Sequence, residues 1–450
     1  MKTVYFLLLS LLPAISSAQT LNLQQAIELA QNHDARISEK LALMHKAEAM
    51  LAEAQGSGGL RYSVDSFLAL TTGVDGGFFE NGEDSCSSNC TPRDDTYDFD
   101  NGLSLFSSLT FTIIKPLLTF GRLENYQLAA ENNILIKKED VLLQRDQIKL
   151  DITRAYYGYL TARDSRLLLE DTRKRLDAAL ELVTDWLDND NGNAKLSDKF
   201  ALQAGLGLVN SKFSEAKGLE AIAMEGIKVL TGLQGEEIKL EDRRLSPVPL
   251  PDRELEEWVE TALNQRAEFR QVNAGLAARR ALVEAKKADA KPIIFAGIAG
   301  SLAYSPERDR LDNPHIYDPF NHYAASPLLG MRWEWESGAQ PARVAQAQAE
   351  YEAVVAKASF ARNGIPFQVT EQYHLVHSRY ESLQQMKNSA KAARRWMISA
   401  YTNFEAGLEE AEKILTAMQV YVLAYAEYLK IVNDYNNSVS KLNSVSGEYE

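Results

Sequence analysis

An internal duplication constrains the fold of this chain more than any other feature. The segment "AIELAQNHDARI", from Ala26, resembles "WVETALNQRAEF", from Trp258, at an offset of 232 residues. Two later pairs, "IIKPLLTFGRL" with "MRWEWESGAQP" and "VLTGL" with "SVSGE", stand 217 and 215 residues apart. Repeated sequence predicts repeated local structure, so the chain should contain two copies of one unit. The drop from 232 to 217 predicts one fifteen-residue insertion in the first copy, between residues 36 and 121.

The unit itself is predicted from the order of its sequence patterns. Residues 21–57 are rich in Ala, Leu and Glu and predict helix. In "GLSLFSSLTFTII" the apolar residues alternate with Ser and Thr, which predicts a strand with one apolar and one polar face. Residues 122–188 lack proline and predict a helix of about 100 Å. The unit is therefore helix, two strands, long helix and return helix.

We predict two such repeats, joined by the proline-containing linker "EDRRLSPVPLPDRE". The first, residues 19–245, has strands at about 61–73 and 102–116, a long helix at 122–188 and a return helix at 194–232. The second, residues 246–450, has strands at about 292–304 and 328–336, a long helix at 340–404 and a return helix at 408–445. Pro366 lies inside the second long helix and predicts a kink or bulge there.

Residues 1–18 have the pattern of a signal peptide, with Lys2, a short apolar core and "SSA" before Gln19. We therefore expect an exported protein that either stays soluble or enters a membrane as a β-barrel. Four short strands cannot close a barrel in one chain. Three copies would supply twelve amphipathic strands, enough for a water-filled pore, and long helices for a coiled-coil cylinder.

Charge and composition exclude several function classes. The chain has 62 acidic and 48 basic residues, and its net charge of −14 argues against binding nucleic acid. That charge fits solubility and an acidic pore equally well. No catalytic or cofactor motif is present, so we expect neither an enzyme nor a cofactor. His374 and His377 share a helix face, but without a third ligand they do not predict a metal site. We expect Cys86 and Cys90 to pair as a disulfide in an oxidising compartment.

Three segments carry a resemblance to a known family. "KPLLTFGRLENYQLA" and its twin "RWEWESGAQPARVAQAQAEY" resemble strand-to-helix junctions of the TolC-like outer-membrane efflux proteins. "NFEAGLEEAEKILTAMQVYVLAYAEYLKIVNDYNNSVSKLNSVSG" resembles the last helix of that family. Each motif is weakly specific alone, whereas their order, duplication and spacing cover essentially the whole mature chain.

The resemblance implies an α+β membrane protein in the outer membrane of a Gram-negative bacterium, with a large periplasmic portion. The implied assembly is a homotrimer whose 12-stranded β-barrel, surrounded by outer-membrane lipid, continues into a 12-helix α-barrel coiled-coil tunnel. The implied function is the exit duct of a tripartite efflux or type I secretion system. Its implied partners are a periplasmic adaptor protein and an inner-membrane pump of the RND, ABC or MFS type.

The resemblance also assigns roles to the turns where the helices reverse. Gly192 and Gly407 are counterparts, and glycine reaches the left-handed backbone angles that end a helix. The implied adaptor-docking tips are Asn191, Gly192, Asn193, Ala406, Gly407 and Leu408. Helix C-caps without a partner are the alternative.

Acidic residues that follow the second tip are the implied pore constriction. The candidates are Glu409, Glu410 and Glu412, while Lys413 departs from the acidic pattern of the family. A solvated helix start, in which carboxylates favour the helix dipole, is the alternative interpretation. For the whole chain, the alternative is a soluble periplasmic coiled-coil scaffold or adaptor. The regular alternation from Leu103 to Ile113 favours the channel, because a scaffold does not need an amphipathic strand.

Overall fold

The structure is a computed structural model that describes residues 19–74, 79, 91–92, 102–189, 194–308, 310, 315 and 317–449. Its helices are α1 (Leu23–His33), α2 (Ala35–Gly56), α3 (Arg122–Asp188), α4 (Leu196–Thr231), α5 (Leu255–Gln265), α6 (Ala267–Ala288), α7 (Ala339–Glu405) and α8 (Ala411–Ser446). Its strands are β1 (Gln19–Leu21), β2 (Arg61–Thr72), β3 (Leu103–Leu118), β4 (Ile238–Leu240), β5 (Ile293–Tyr304) and β6 (His322–Arg332). The predicted α+β class with dominant helices is confirmed. The signal-peptide segment, Cys86 and Cys90 lie outside the described residues.

The duplication appears in the lengths of the helices. α1 and α5 both have 11 residues, α2 and α6 both have 22, α3 and α7 both have 67, and α4 and α8 both have 36. Each element of one repeat therefore has a counterpart of equal helical length in the other. Two long strands in each repeat complete the unit.

The four long strands form one antiparallel sheet with the order β2-β3-β5-β6. Strand β6 differs from the predicted range of about 328–336, because it begins at His322 and ends at Arg332. The pairing partner explains the difference. Ile293 is the first residue of β5 and pairs with Arg332, so Trp333 has no residue of β5 beside it. Its indole Nε1 instead donates to the carbonyl of Ala290 at 3.0 Å.

The chain divides into two compact units, and each repeat contributes to both. One unit contains the described residues up to Leu43, then Lys137–Gln271, and then the residues from Lys357 onward. The other contains Met44–Ile136 and Val272–Ala356, with the four-stranded sheet. This division cuts across the repeats because equivalent elements pack beside one another: the strands of both repeats share a single sheet.

The helical unit has an apolar core to which its long helices contribute. Ile148 and Ile152 of α3 are fully buried, and they pack in one cluster with Leu429 and Val432 of α8. A second cluster towards the ends of the long helices joins Trp186 of α3 with α7 and α8. Ile148 and Ile152 are four residues apart, and Leu429 and Val432 are three apart, so the packed seam of these helices follows coiled-coil spacing.

A buried asparagine on α8 fixes the linker between the repeats. The Asn436 side chain is 1% exposed. Its amide group donates to the carbonyl of Ser246 at 2.9 Å, and its Oδ1 accepts from the backbone N–H of Val248 at 3.0 Å. Both halves of the side-chain amide are thus satisfied by linker backbone, which offsets the cost of burying them. The parallel pairing of β1 with β4 also joins the first described residues to the segment that precedes the linker. These two three-residue strands were not predicted.

The first helical segment is broken where the sequence predicted one helix. Asp34 has extended backbone angles between α1 and α2. Its carboxylate accepts from the backbone N–H of Arg36 at 2.8 Å and from the Arg36 guanidinium at 2.7 Å. Aspartate favours helix starts because its side chain satisfies the free N–H groups there, so a new helix, α2, begins after Asp34 instead of continuing α1.

Pro366 does not interrupt the second long helix. α7 is continuous from Ala339 to Glu405 with Pro366 inside it, so no bulge divides the helix at that position. The neighbouring turns are fixed by packing, because Ile365 and Val369 are buried in the apolar core. Thr370 also donates its hydroxyl to the Pro366 carbonyl at 2.9 Å. Tertiary packing therefore outweighs the backbone bond that proline removes.

Asp146 of α3 provides a pH test of the packing between α3 and α8. The side chain is buried against α8, and Ser444 donates a hydroxyl hydrogen bond to it at 2.6 Å. Burial raises its pKa above the ordinary carboxyl value, although the Ser444 bond opposes that effect. The stabilisation from a protonated Asp146 is fully present below the unfolded-state pKa, and it is lost as the pH rises through the raised folded-state pKa.

We therefore expect Asp146→Asn to raise the thermal unfolding midpoint at neutral pH, with a gain that shrinks towards pH 4. Scanning fluorimetry across this range measures the difference. Asp171→Asn changes an exposed carboxylate on the same helix and serves as the matched control. A gain that is equal at every pH would contradict the raised pKa.

Candidate functional site

Helix α7 ends in a hydrogen-bonded turn that requires a glycine. Gly407 has a φ of 70°. Its N–H donates to the Phe404 carbonyl at 2.8 Å, and the N–H of Leu408 donates to the Asn403 carbonyl at 2.9 Å. These two bonds form a Schellman cap, in which the left-handed residue is usually glycine. Gly407 therefore has the role of a helix C-cap in the reversal from α7 to α8.

The turn rests on an apolar base and exposes one apolar side chain. Phe404 is buried and packs against Trp186, with ring centroids 5.2 Å apart. Ile414, in the first turns of α8, is buried in the same cluster. Leu408, which follows Gly407, is 77% exposed. The apolar contacts of Phe404 and Ile414 thus anchor the turn, while Leu408 is exposed to solvent.

The three acidic candidates have different surroundings. The helix α8 begins at Ala411 and not at the predicted residue 408, so Glu409 and Glu410 lie in the turn. Glu409 accepts from the Asn403 amide at 3.4 Å and lies 4.0 Å from Lys413 Nζ. Glu412, in the first turn of α8, is exposed and has no side-chain partner among the described residues.

The remaining candidate, Glu410, pairs with its counterpart from the other repeat. Its Oε1 lies 3.2 Å from Nζ of Lys195, and both side chains are exposed. The two residues are 215 positions apart, and each precedes a return helix as its N-cap residue. Lys195 was not predicted from the sequence, although its offset of 215 residues from Glu410 and its opposite charge are visible there. Asn191, Gly192 and Asn193 lie outside the described residues.

One of the two faces of the four-stranded sheet is strongly apolar, and it is called the apolar face below. Residues that pair across antiparallel strands share a face, so the register assigns each side chain. Twelve large apolar residues fall on this face, and each is at least 47% exposed: Tyr62, Val64, Leu68, Leu70, Leu103, Leu105, Ile298, Leu302, Tyr304, Tyr323, Leu329 and Met331. A soluble monomer rarely exposes so large a contiguous apolar surface.

The opposite face, called the polar face, carries hydroxyl and charged side chains together with some apolar ones, such as Phe67 and Phe295. Its polar members are Arg61, Ser63, Asp65, Thr71, Ser104, Ser108, Thr110, Thr112, Ser301, His322, Ser326 and Arg332. The alternation predicted from Leu103 to Ile113 therefore places most of the exposed large apolar side chains of the four paired strands on one face.

Both edges of the sheet are open. β2 pairs only with β3, and β6 pairs only with β5, within the part of the chain that the structure describes. These edge strands have 12 and 11 residues. Long edge strands with unpaired backbone groups are templates for pairing with another chain.

The described residues offer no metal centre or membrane-spanning helix. None of their His, Cys, Asp and Glu side chains forms a cluster of three suited to a metal ion. His377 packs against the Tyr373 ring, with centroids 4.3 Å apart, so its neighbour there is an aromatic ring. No helix among these residues combines the length and the apolar content needed to cross a bilayer.

The glycine cap of α7 yields a prediction. Gly407→Ala places a Cβ on a left-handed backbone at a cost of about 1 kcal/mol. Hydrogen exchange of the amides of Gly407 and Leu408 should accelerate about fivefold. Gly207→Ala is the control, because Gly207 lies inside α4, where an added Cβ meets nothing within 4 Å. Unchanged exchange in the Gly407→Ala protein would contradict the role of the cap.

Comparison with known proteins identifies this architecture. No protein-family model matches the sequence. The protein CyaE of Bordetella pertussis is 24% identical over 314 residues, which cover 66% of this chain and 61% of that protein. The chain thus spans about three fifths of the length of that relative.

Solved structures give a more extensive match. The outer-membrane channel OprN has a TM-score of 0.74 at 16% identity, with 94% of this chain and 89% of that chain covered. The CmeC outer-membrane channel of Campylobacter jejuni has a TM-score of 0.76 at 12% identity, with coverages of 94% and 85%. The MtrE outer-membrane channel of Neisseria gonorrhoeae has a TM-score of 0.69 at 12% identity, with coverages of 94% and 88%. The resemblance to TolC-like outer-membrane channels is therefore confirmed at the level of the fold.

Proposed function

We propose that this protein is the passive exit duct of an export machine in the outer membrane of a Gram-negative bacterium. The observation that carries the proposal is the four-stranded sheet, with an exposed apolar face, a polar face and two open edges. Such a sheet is stable in lipid only when its edges are paired, because a bilayer offers no water to unpaired backbone groups. Closure with further copies meets that need, and three copies supply a 12-stranded barrel.

The apolar face has the dimensions of a bilayer. From Ile294 to Tyr304, β5 rises about 33 Å at 3.3 Å per residue. A strand tilt of about 40° reduces this to about 25 Å along the membrane normal, which matches the apolar band of outer-membrane barrels. Tyr304 and Tyr323 lie at one end of the face. Tyrosines at that end suit a membrane interface.

The helices support assembly from several copies. α4 exposes six large apolar side chains along its length: Leu196, Phe200, Leu208, Leu219, Ile222 and Val229. An exposed apolar stripe on a long helix requires a packing partner. We assign neighbouring copies to this stripe. The resulting homotrimer would contain a 12-helix α-barrel as well as the 12-stranded β-barrel.

The hairpin ends supply the docking and gating parts of the proposal. Ala406, Gly407 and Leu408, with the counterpart turn Asn191, Gly192 and Asn193, would contact a periplasmic adaptor. The exposed Leu408 supports this role, because a helix cap alone does not need an apolar side chain in solvent. The adaptor would in turn connect the duct to an inner-membrane pump of the RND, ABC or MFS type, in efflux or in type I secretion.

Among the constriction candidates, Glu412 has the strongest support. Glu409 and Glu410 are paired with lysines, whereas Glu412 has no side-chain partner among the described residues. Three copies of one unpaired carboxylate would form a ring that favours cations. The duct itself needs no cofactor, since the energy for transport would come from the pump.

Planar-bilayer recordings test the channel and its constriction together. We expect discrete conductance steps from the purified trimer, with cation preference. Glu412→Ala should lower that preference more than Glu410→Ala, which removes a carboxylate paired with Lys195. Equal selectivity in both variants would remove Glu412 from the constriction, while a preparation that is monomeric and leaves the bilayer impermeable would end the channel proposal.

The assignment of the two faces predicts that an introduced arginine is destabilising on the apolar face and tolerated on the polar face. Val64→Arg places a charge on the apolar face at a cost of about 2–4 kcal/mol near the bilayer centre. Thr110→Arg, one register position away on the polar face, lies beside Asp65 and should be tolerated. Heat-resistant trimer recovered from outer membranes measures the difference. Equal recovery of both variants would contradict the assignment of the faces.

The alternative of a soluble periplasmic scaffold is testable by fractionation. A scaffold would be recovered in the aqueous periplasmic fraction, whereas the duct requires detergent for extraction. The open apolar face of the sheet favours the duct.

A further inference from the structure

The sheet-containing unit has an open cavity of about 900 Å³ at the polar face. The walls come from the ends of the four long strands nearest the helices and from α2, α3, α6 and α7. Most lining side chains are apolar, including Met50, Leu123, Leu282, Ile293 and Phe295. A mainly apolar cavity of this size is in the range of sites for small organic molecules.

The charges at this cavity are opposite to those of the whole protein. Arg61, Arg122, Arg279 and Arg332 line it, and Glu53 is its one acidic lining residue. The chain as a whole has a net charge of −14. Four guanidinium groups against one carboxylate therefore make this cavity a local region of positive charge within an acidic protein.

Two of these arginines have carboxylate partners. Arg279 pairs with Glu350. Arg122 Nε lies 2.9 Å from Oδ1 of Asp289, and the other oxygen of the same carboxylate lies 3.3 Å from Nζ of Lys286. One carboxylate is thus shared by two cations, so this ion network, of which Arg122 lines the cavity, keeps a net positive charge.

The other two arginines are unpaired. Within the described part of the chain, neither Arg61 nor Arg332 has an ion pair or a side-chain hydrogen bond. Both lie on the polar face, where Arg61 pairs across the sheet with Ile114 and Arg332 pairs with Ile293. They stand on the two edge strands and line the same cavity. Their guanidinium groups have five donors each that are available to a ligand.

We propose that this cavity binds amphiphilic organic anions, and that the cargo of the duct includes molecules of this class. The apolar walls would contact the body of the ligand, while Arg61 on one edge strand and Arg332 on the other would attract its carboxylate, sulfonate or phosphate. Arginine suits such groups because its planar donors match two anionic oxygens at once. The assignment of this ligand class to the cargo rests on the proposed function, whereas binding itself does not.

Fluorescence titration of the purified trimer in neutral phosphatidylcholine nanodiscs tests the proposal, with empty nanodiscs subtracted. The probes share one fluorophore: 11-(dansylamino)undecanoic acid is the anion and dansylcadaverine is the cation. We expect the anion to bind at least tenfold more tightly. Arg61→Gln and Arg332→Gln should each weaken the anion about tenfold, because each removes a charge-assisted hydrogen bond.

Arg343→Gln is the matched control, since Arg343 pairs with Glu336 in the same unit and does not line the cavity. It should leave both affinities unchanged. The double charge reversal Arg61→Glu with Arg332→Glu should make the cation the preferred probe. Equal binding of the two probes to the native protein, or equal effects of Arg61→Gln and Arg343→Gln, would overturn the proposal.

Conductance of the same preparation separates this inference from the proposed function. A protein that conducts but does not discriminate the probes would refute the anion site and leave the duct intact. A protein that binds the anion selectively without conducting would retain the site and remove its connection to cargo. Trimer recovery of each variant, measured before titration, identifies any substitution that acts through folding.

Discussion

The pairing of four strands into a sheet with open edges is the constraint on which the proposed architecture depends. Backbone N–H and C=O groups on β2 and β6 need partners, and the apolar face needs a surrounding that is not water. Neither need can be met within the described part of one chain. Closure by further copies in a bilayer meets both at once, which is why a channel explains the sheet better than a scaffold does.

The helical unit holds its long helices in register, and the chain reverses direction sharply between α7 and α8. Apolar seams bury residues such as Ile148 and Val432, while the buried Asn436 fixes the linker through both ends of its amide. At the turn, the Gly407 cap and the Phe404–Trp186 contact leave little freedom for the backbone. A rigid turn with an exposed leucine and carboxylates is suited to docking and gating, because its shape is set before a partner arrives.

The proposed duct has one region of negative charge and another of positive charge. The carboxylate of Glu412 at the hairpin end would favour cations, whereas the arginines at the cavity of the sheet unit would favour anions. The network of Arg122, Asp289 and Lys286 keeps positive charge at that cavity by sharing one carboxylate between two cations. An amphiphilic anion would therefore meet its most favourable site beside the sheet.

The sequence by itself determined the duplicated unit, the long helices and the amphipathic strands, because periodicity and repeats are local properties that survive in one chain. It also identified Gly407, since a left-handed cap has a residue-specific signature. Only the tertiary structure decided the limits of β6, the break at Asp34 and the continuity of α7 through Pro366, because pairing partners and packing override local preference there. The contact of Lys195 with Glu410 and the gathering of Arg61 with Arg332 at one cavity likewise required the fold, which brings together residues that lie more than 200 positions apart in the chain.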